Sequence, residues 1–148
     1  MTQRRLARES AVEVLYRLDL VADEPEAVIQ EICVRKNPSE EAESYLRRLV
    51  RTVENHRNEI DRVLKKHLKR WRLERLTFID RAILRMGCAE ILFFDDVPPK
   101  VAINEAVDIA KKFGDDNAGK FVNGVLDGVF KDCFNRQMGG DDGSRGVE

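Results

Sequence analysis

Thr77-Phe78-Ile79-Asp80-Arg81-Ala82-Ile83-Leu84-Arg85-Met86-Gly87-Cys88-Ala89-Glu90-Ile91-Leu92-Phe93-Phe94 decides the fold. From Ile79 to Phe94 apolar residues fall on most sides at a helical period, so the stretch reads as a buried helix. Thr77 and Asp80 bracket its start as a capping box, with aspartate in place of glutamate. Asp95-Asp96 and Pro98-Pro99 end it. A helix apolar all round must be covered by other elements, and it is expected to organise the fold.

Its neighbours in sequence supply that cover. Ala7, Ala11, Val14, Leu15, Leu18 and Ala22 stripe a first helix. Asp23 is expected to start a second, with Pro25 and Glu26 in its first turn and Val28, Ile29 and Ile32 as its stripe. Asn37-Pro38 breaks it, and Ser39 caps a third helix carrying Tyr45, Leu46, Leu49 and Val53. A turn or kink at Asn55–Asn58 leads to a fourth, with Ile60, Val63, Leu64, His67 and Leu68. A sixth lies within Ala102–Phe113 and stops at Gly114. A seventh runs from about Asp116 to Phe134. No alternating strand pattern of useful length appears. The expected fold is all-α, about seven helices in one domain over 1–138, followed by a Gly- and Asp-rich disordered tail over 139–148.

Composition narrows the function. The 148 residues carry 26 Lys and Arg against 27 Asp and Glu, a net charge of -1, so any nucleic-acid site must be local. Three cysteines, Cys33, Cys88 and Cys133, are too scattered for a disulfide framework, and His56 and His67 do not complete a zinc site with them. No cofactor or metal is expected. No apolar run reaches a membrane span and no secretory signal is evident, so a cytoplasmic protein is expected. No paired carboxylates, Ser/His/Asp set or nucleophile elbow emerges, and Cys88 and His67 read as core residues.

Charge is uneven. Asp19 to Glu31 holds five acids and no base, whereas Arg47 to Arg75 holds eleven bases and four acids. A solvated helix face explains the second stretch most simply. On the first helix Arg5, Arg8, Val12 and Tyr16 gather opposite the core stripe, with Arg4 near the same end. Guanidinium groups pair with phosphates and a tyrosine ring stacks on bases, which is the chemistry of a small single-stranded RNA site. An ordinary solvated N-terminus is the alternative. Exchange of Arg5 and Arg8 is expected to weaken RNA binding without unfolding the chain.

Gly114-Asp115-Asp116-Asn117-Ala118-Gly119-Lys120-Phe121 matches a phosphate-binding loop up to its last position. Phe121 replaces the magnesium-binding hydroxyl and the segment follows a helix, so nucleotide hydrolysis is not expected. On the seventh helix Asn117, Phe121, Gly124 and Gly128 form a strip beside the core stripe. Two glycines there let another backbone or a nucleic acid come close, or else admit tight packing within the chain.

Four segments together resemble the NusB family of bacterial transcription antitermination factors: Arg4 to Glu9 with Ala11-Val12 and Leu15-Tyr16; Asp80 to Arg85; Val101 to Ala106; and Gly114 through Asp127. The resemblance implies an all-helical fold of two small packed bundles and no enzymatic activity. It implies binding of the boxA element of ribosomal RNA leader transcripts, together with the ribosomal protein NusE, within an antitermination complex on RNA polymerase. It implies RNA contacts from Arg4, Arg5, Arg8, Tyr16 and Lys120, and a partner surface of Asp80, Asn117 and Phe121. Leu6, Asn117 and Ala118 depart from residues frequent in the family. An RNA-recognition module of an RNA methyltransferase and a purely protein-binding helical adapter are the alternatives.

Overall fold

Seven α-helices follow one another in the computed structural model, which describes residues 2–69 and 72–140, with side chains for 2–69 and 72–135. They are α1 (Gln3–Leu20), α2 (Pro25–Lys36), α3 (Glu40–Asn55), α4 (Arg57–Lys66), α5 (Phe78–Phe93), α6 (Pro99–Phe113) and α7 (Asp116–Gly140). A single 3-10 turn at Leu73–Arg75 precedes α5. Among the described residues there is no strand. The tail expected over 139–148 lies outside the described residues, except that α7 extends to Gly140.

Local chemistry sets most of the boundaries. Thr2, Ser39 and Thr77 each accept a hydrogen bond from the backbone N–H three residues on, capping α1, α3 and α5. Asn37 ends α2 in the left-handed region at φ 47°. Two helix starts differ from expectation, and α7 runs on to Gly140 where an end near Phe134 was expected. The cap of α2 is Glu24 rather than Asp23, and α6 begins at Pro99 rather than at Ala102. Both shifts share a cause: proline at the first helical position has its φ preset and lacks an N–H that would go unpaired there.

α1, α2 and α3 pack together as one bundle, and α4 to α7 form the second. α5 joins them, touching α1 and α3 on one side and α4, α6 and α7 on the other. Nine consecutive residues of α5, Ala82 to Glu90, are buried. The buried side chains of both bundles form one continuous core. Gly87 marks the tightest crossing: a Cβ there would stand 2.6 Å from Leu126 Cδ1 and 3.4 Å from Ala106 Cβ.

Four charged side chains, Arg8, Glu9, Arg85 and Glu90, are buried. Glu90 of α5 is 0% exposed. Arg8 of α1 donates from Nε to both its oxygens at 2.9 and 3.1 Å, and the Tyr45 hydroxyl of α3 donates a third bond. Burial pushes the Glu90 carboxyl up, and the Arg8 charge and these hydrogen bonds oppose it. Arg85 lies one α5 turn away. It donates to Asp61 of α4 at 2.9 and 3.1 Å and to Asp19 of α1 at 3.0 Å. Asp19 also accepts from Arg81 and Arg57.

The expectation of a free Arg8–Val12 face on α1 fails. Val12 is fully buried and Arg8 is 3% exposed. Consecutive helical residues differ by about 100° in direction, and α1 is covered by both α3 and α5, so two sides are buried. Arg8→Ala should therefore strand the Glu90 carboxylate and cost about 3–5 kcal/mol of stability, read by urea unfolding. The combined exchange Arg8→Met, Glu90→Leu and Tyr45→Phe should recover most of that loss. A stable Arg8→Ala single variant would refute this account of the core.

Candidate nucleic-acid and partner interface

The motif arginines at the start of α1 have three different surroundings. Arg4 is exposed and its guanidinium lies 4.0 Å from the Tyr45 ring centroid. Arg5 is half-buried and donates to Glu105 and Asp108 of α6. The hydrogen bond to Glu105 raises the Arg5 pKa further and lowers that of Glu105. Arg8 is inside the core, as described above. α6 continues alongside α1, where Lys112 donates to Glu9 at 2.9 Å.

Tyr16 stands twelve residues after Arg4, about 18 Å along the helix axis. It is partly buried and meets the Phe78 ring edge-on at 6.4 Å. Phe78, which sequence reasoning missed, is 38% exposed. The Arg81 guanidinium covers its ring at 4.6 Å and is itself held by Asp19 and the Leu73 and Glu74 carbonyls. An exposed phenylalanine in the first turn of an otherwise buried helix was the available signal.

Two residues beyond Phe78, Asp80 lines a small groove with Arg75, Leu76, Thr77 and Phe121. Phe121 is half-buried and also lines a larger groove of about 380 Å³ with His67, Leu68, Lys69, Lys120, Gly124 and Val125. Asn117 is exposed one turn before Phe121 on the same face of α7. The structure thus brings Asp80, Lys120 and Phe121 to adjoining grooves, with Asn117 one turn before Phe121, and sets Tyr16 against Phe78, two residues before Asp80. Arg4 and Arg5 stand at the far end of α1, linked to this cluster along the α1–α6 edge.

The segment resembling a phosphate loop is an interhelical turn. α6 ends at Phe113, and the Asp115 carboxylate accepts from the Ala118 N–H at 2.9 Å at the start of α7. An acceptor therefore occupies the helix N-terminus where a phosphate would bind. Among the described residues, no group of three or more His, Cys, Asp or Glu is placed to hold a metal ion. Nor is any helix there long and apolar enough to cross a membrane. Burial pushes the Cys88 thiol up, as suits a packed core cysteine.

Gly124 and Gly128, the two glycines of the strip on α7, have separate explanations. The His67 ring packs on Gly128, where a Cβ would stand 2.7 Å from Nδ1; its Nε2 is buried 3.6 Å from the Asp132 carboxylate. Gly124 is exposed, and nothing lies within 4 Å of the position its Cβ would take.

These features define a helical binding protein: its functional surface is a set of connected shallow grooves and exposed aromatic and basic side chains. The chain belongs to the NusB family, whose model matches residues 5–131. It is 41% identical over 130 residues to the transcription antitermination protein NusB of Bacillus licheniformis, covering 88% of this chain and 98% of that protein. It is 41% identical over 132 residues to NusB of Aquifex aeolicus, covering 88% and 89%. A crystal structure of the antitermination factors NusB and NusE in complex with dsRNA superposes with TM-score 0.81 at 39% identity, covering 88% of this chain and 98% of that one. The solution structure of Aquifex aeolicus NusB superposes with TM-score 0.77 at 41% identity, covering 88% and 89%.

Gly124→Ala should be tolerated and should raise stability by up to about 1 kcal/mol through helix propensity. Gly128→Ala should displace His67 and lower the melting temperature. Thermal unfolding of the two variants reads both outcomes, and a destabilised Gly124→Ala would mean that groove is filled from within the chain.

Proposed function

We propose that this chain is a non-enzymatic transcription antitermination factor that binds boxA-type RNA of ribosomal RNA leader transcripts together with NusE, within a complex on RNA polymerase. One observation carries the reading: Asp80, Lys120 and Phe121 line adjoining shallow grooves, a geometry that suits a macromolecular partner. The solved NusB–NusE–dsRNA complex supports the same pairing of partners. Arg4, Arg5, Tyr16 and Lys120 supply RNA contacts in this reading, and Asp80, Asn117 and Phe121 face NusE. Arg8 serves by fixing α1 on Glu90 and Tyr45, which positions Arg4 over the Tyr45 ring. The near-complete coverage of the Bacillus licheniformis protein favours this reading over a module of a methyltransferase.

Titration of a boxA RNA against the chain, with and without NusE, tests the proposal. RNA affinity should rise when NusE is present. Tyr16→Ala should weaken RNA binding by about 1–3 kcal/mol if a base stacks on the ring. Phe121→Ala should cost about 2 kcal/mol or more of NusE affinity. Asp80→Lys should weaken NusE binding most at low salt, leaving RNA binding by the chain alone little changed. Normal NusE binding by both variants would place the interface elsewhere.

A further inference from the structure

The basic stretch from Arg47 to Arg75 divides into two parts with different surroundings. Arg47 and Arg51 pair with Glu26, Arg48 with Asp96, and Arg57 with Asp19 and Glu54. These cations are neutralised within the fold. Further along, Lys65 has Glu74 at 3.8 Å, and Lys65 and Lys66 close the last turn of α4, where the helix dipole favours cations. Lys69 and Arg72 have neither explanation. They lie beyond α4, are exposed, and have no carboxylate within 4.0 Å among the described residues.

These two side chains line a groove with Leu68 and Leu73, and Glu74 is the acid present there. Leu68 and Lys69 also line the adjoining groove that holds Lys120 and Phe121. Lys120 likewise has no carboxylate partner among the described residues. Exposed cations without an ion pair among the described residues therefore run from Arg72 through Lys69 to Lys120, with Glu74, whose carboxyl its own backbone hydrogen bond, Lys65 and Arg72 hold down, as the acid in the same groove. At the start of α1 the situation is reversed: Arg5 faces two carboxylates and Arg8 is sealed on Glu90.

We infer that Lys69, Arg72 and Lys120 form a second phosphate-binding track, which holds the backbone of single-stranded RNA along the α4–α7 grooves. The inference rests on the RNA-binding reading above and adds to it a route for the strand beyond Lys120. Charge complementarity selects the occupant. An RNA backbone presents an anion at every nucleotide, which suits consecutive cations that have no ion-pair partner.

The test is a salt series of RNA affinity, read by fluorescence anisotropy with a single-stranded boxA RNA, for the chain alone and with NusE. Three variants are compared with the parent: Lys69→Gln/Arg72→Gln, Arg4→Gln, and a charge-matched control, Arg35→Gln/Arg51→Gln, whose cations are exposed but paired. The first should lose about tenfold or more in affinity at low salt, and its slope of log K against log salt should become shallower by about 1.4, for two lost phosphate contacts. The control should keep the parent slope. An unchanged slope in Lys69→Gln/Arg72→Gln, an equal loss in the control, or a loss of NusE affinity in place of RNA affinity would overturn the track. If Arg4→Gln weakens binding and Lys69→Gln/Arg72→Gln does not, the RNA-binding function stands and the track alone falls. If the parent binds no RNA with or without NusE, both fall.

Discussion

A carboxylate held out of water governs how the helices meet. Glu90 sits at the centre of α5 with no exposure, and its charge is met by Arg8 from α1 and Tyr45 from α3. Removing either partner leaves a polar group that the core cannot satisfy, so the first bundle can dock on α5 in one register only. Outward from this cluster the chemistry continues in layers. Arg4 rests on the Tyr45 ring, the edge of that ring meets Phe94, and Arg48 covers Phe94 at 3.9 Å and pairs with Asp96. The hydrogen bond from Arg48 holds the exposed Asp96 carboxyl down at about 2. The orientation of the exposed Arg4 thus depends on a buried charge two layers below it.

The second constraint is the match between the acidic segment and its basic counterpart. Asp19 and Glu26 come from the acid-only stretch, and their partners are Arg47, Arg51, Arg57, Arg81 and Arg85. Exposed pairs of this kind contribute little each. The half-buried Asp19 is different, because three arginines from two helices converge on it and it ties the end of α1 to the second bundle. Much of the apparent basic patch is consumed in this way, and among the described residues Lys69 and Arg72 after α4, together with Lys120, are cations left outside these pairs.

Helix positions were legible because the apolar stripes and caps are local signals: Ser39, Thr77, Asn37 and Gly114 stand where the chain turns. The charged core was not legible. Arg8 meets Glu90 across 82 residues of sequence and Arg85 meets Asp19 across 66, so periodicity put Arg8 on an open face and gave Glu90, Arg85 and Asp19 no partners. A sharper reading was available, since Arg85 and Glu90 interrupt a helix that is otherwise apolar on most sides and so require partners. The Asp80–Phe121 cluster followed from family resemblance and from the wheel of α7. The contribution of Phe78 did not, because its neighbour Tyr16 lies on a different helix.

Arg5 shows how a paired residue can still serve an interface. Its Nε and Nη2 donors are taken by Glu105 and Asp108, while a guanidinium carries five N–H groups. The two on Nη1 make no bond among the described residues, so Arg5 can donate to a phosphate without breaking either pair. The local charge nevertheless sums to one negative unit over Arg5, Glu105 and Asp108, which weakens attraction at that end of α1. In the proposed RNA-binding reading, directional hydrogen bonding at Arg5 would orient a strand and the cations Lys69, Arg72 and Lys120 would draw it in.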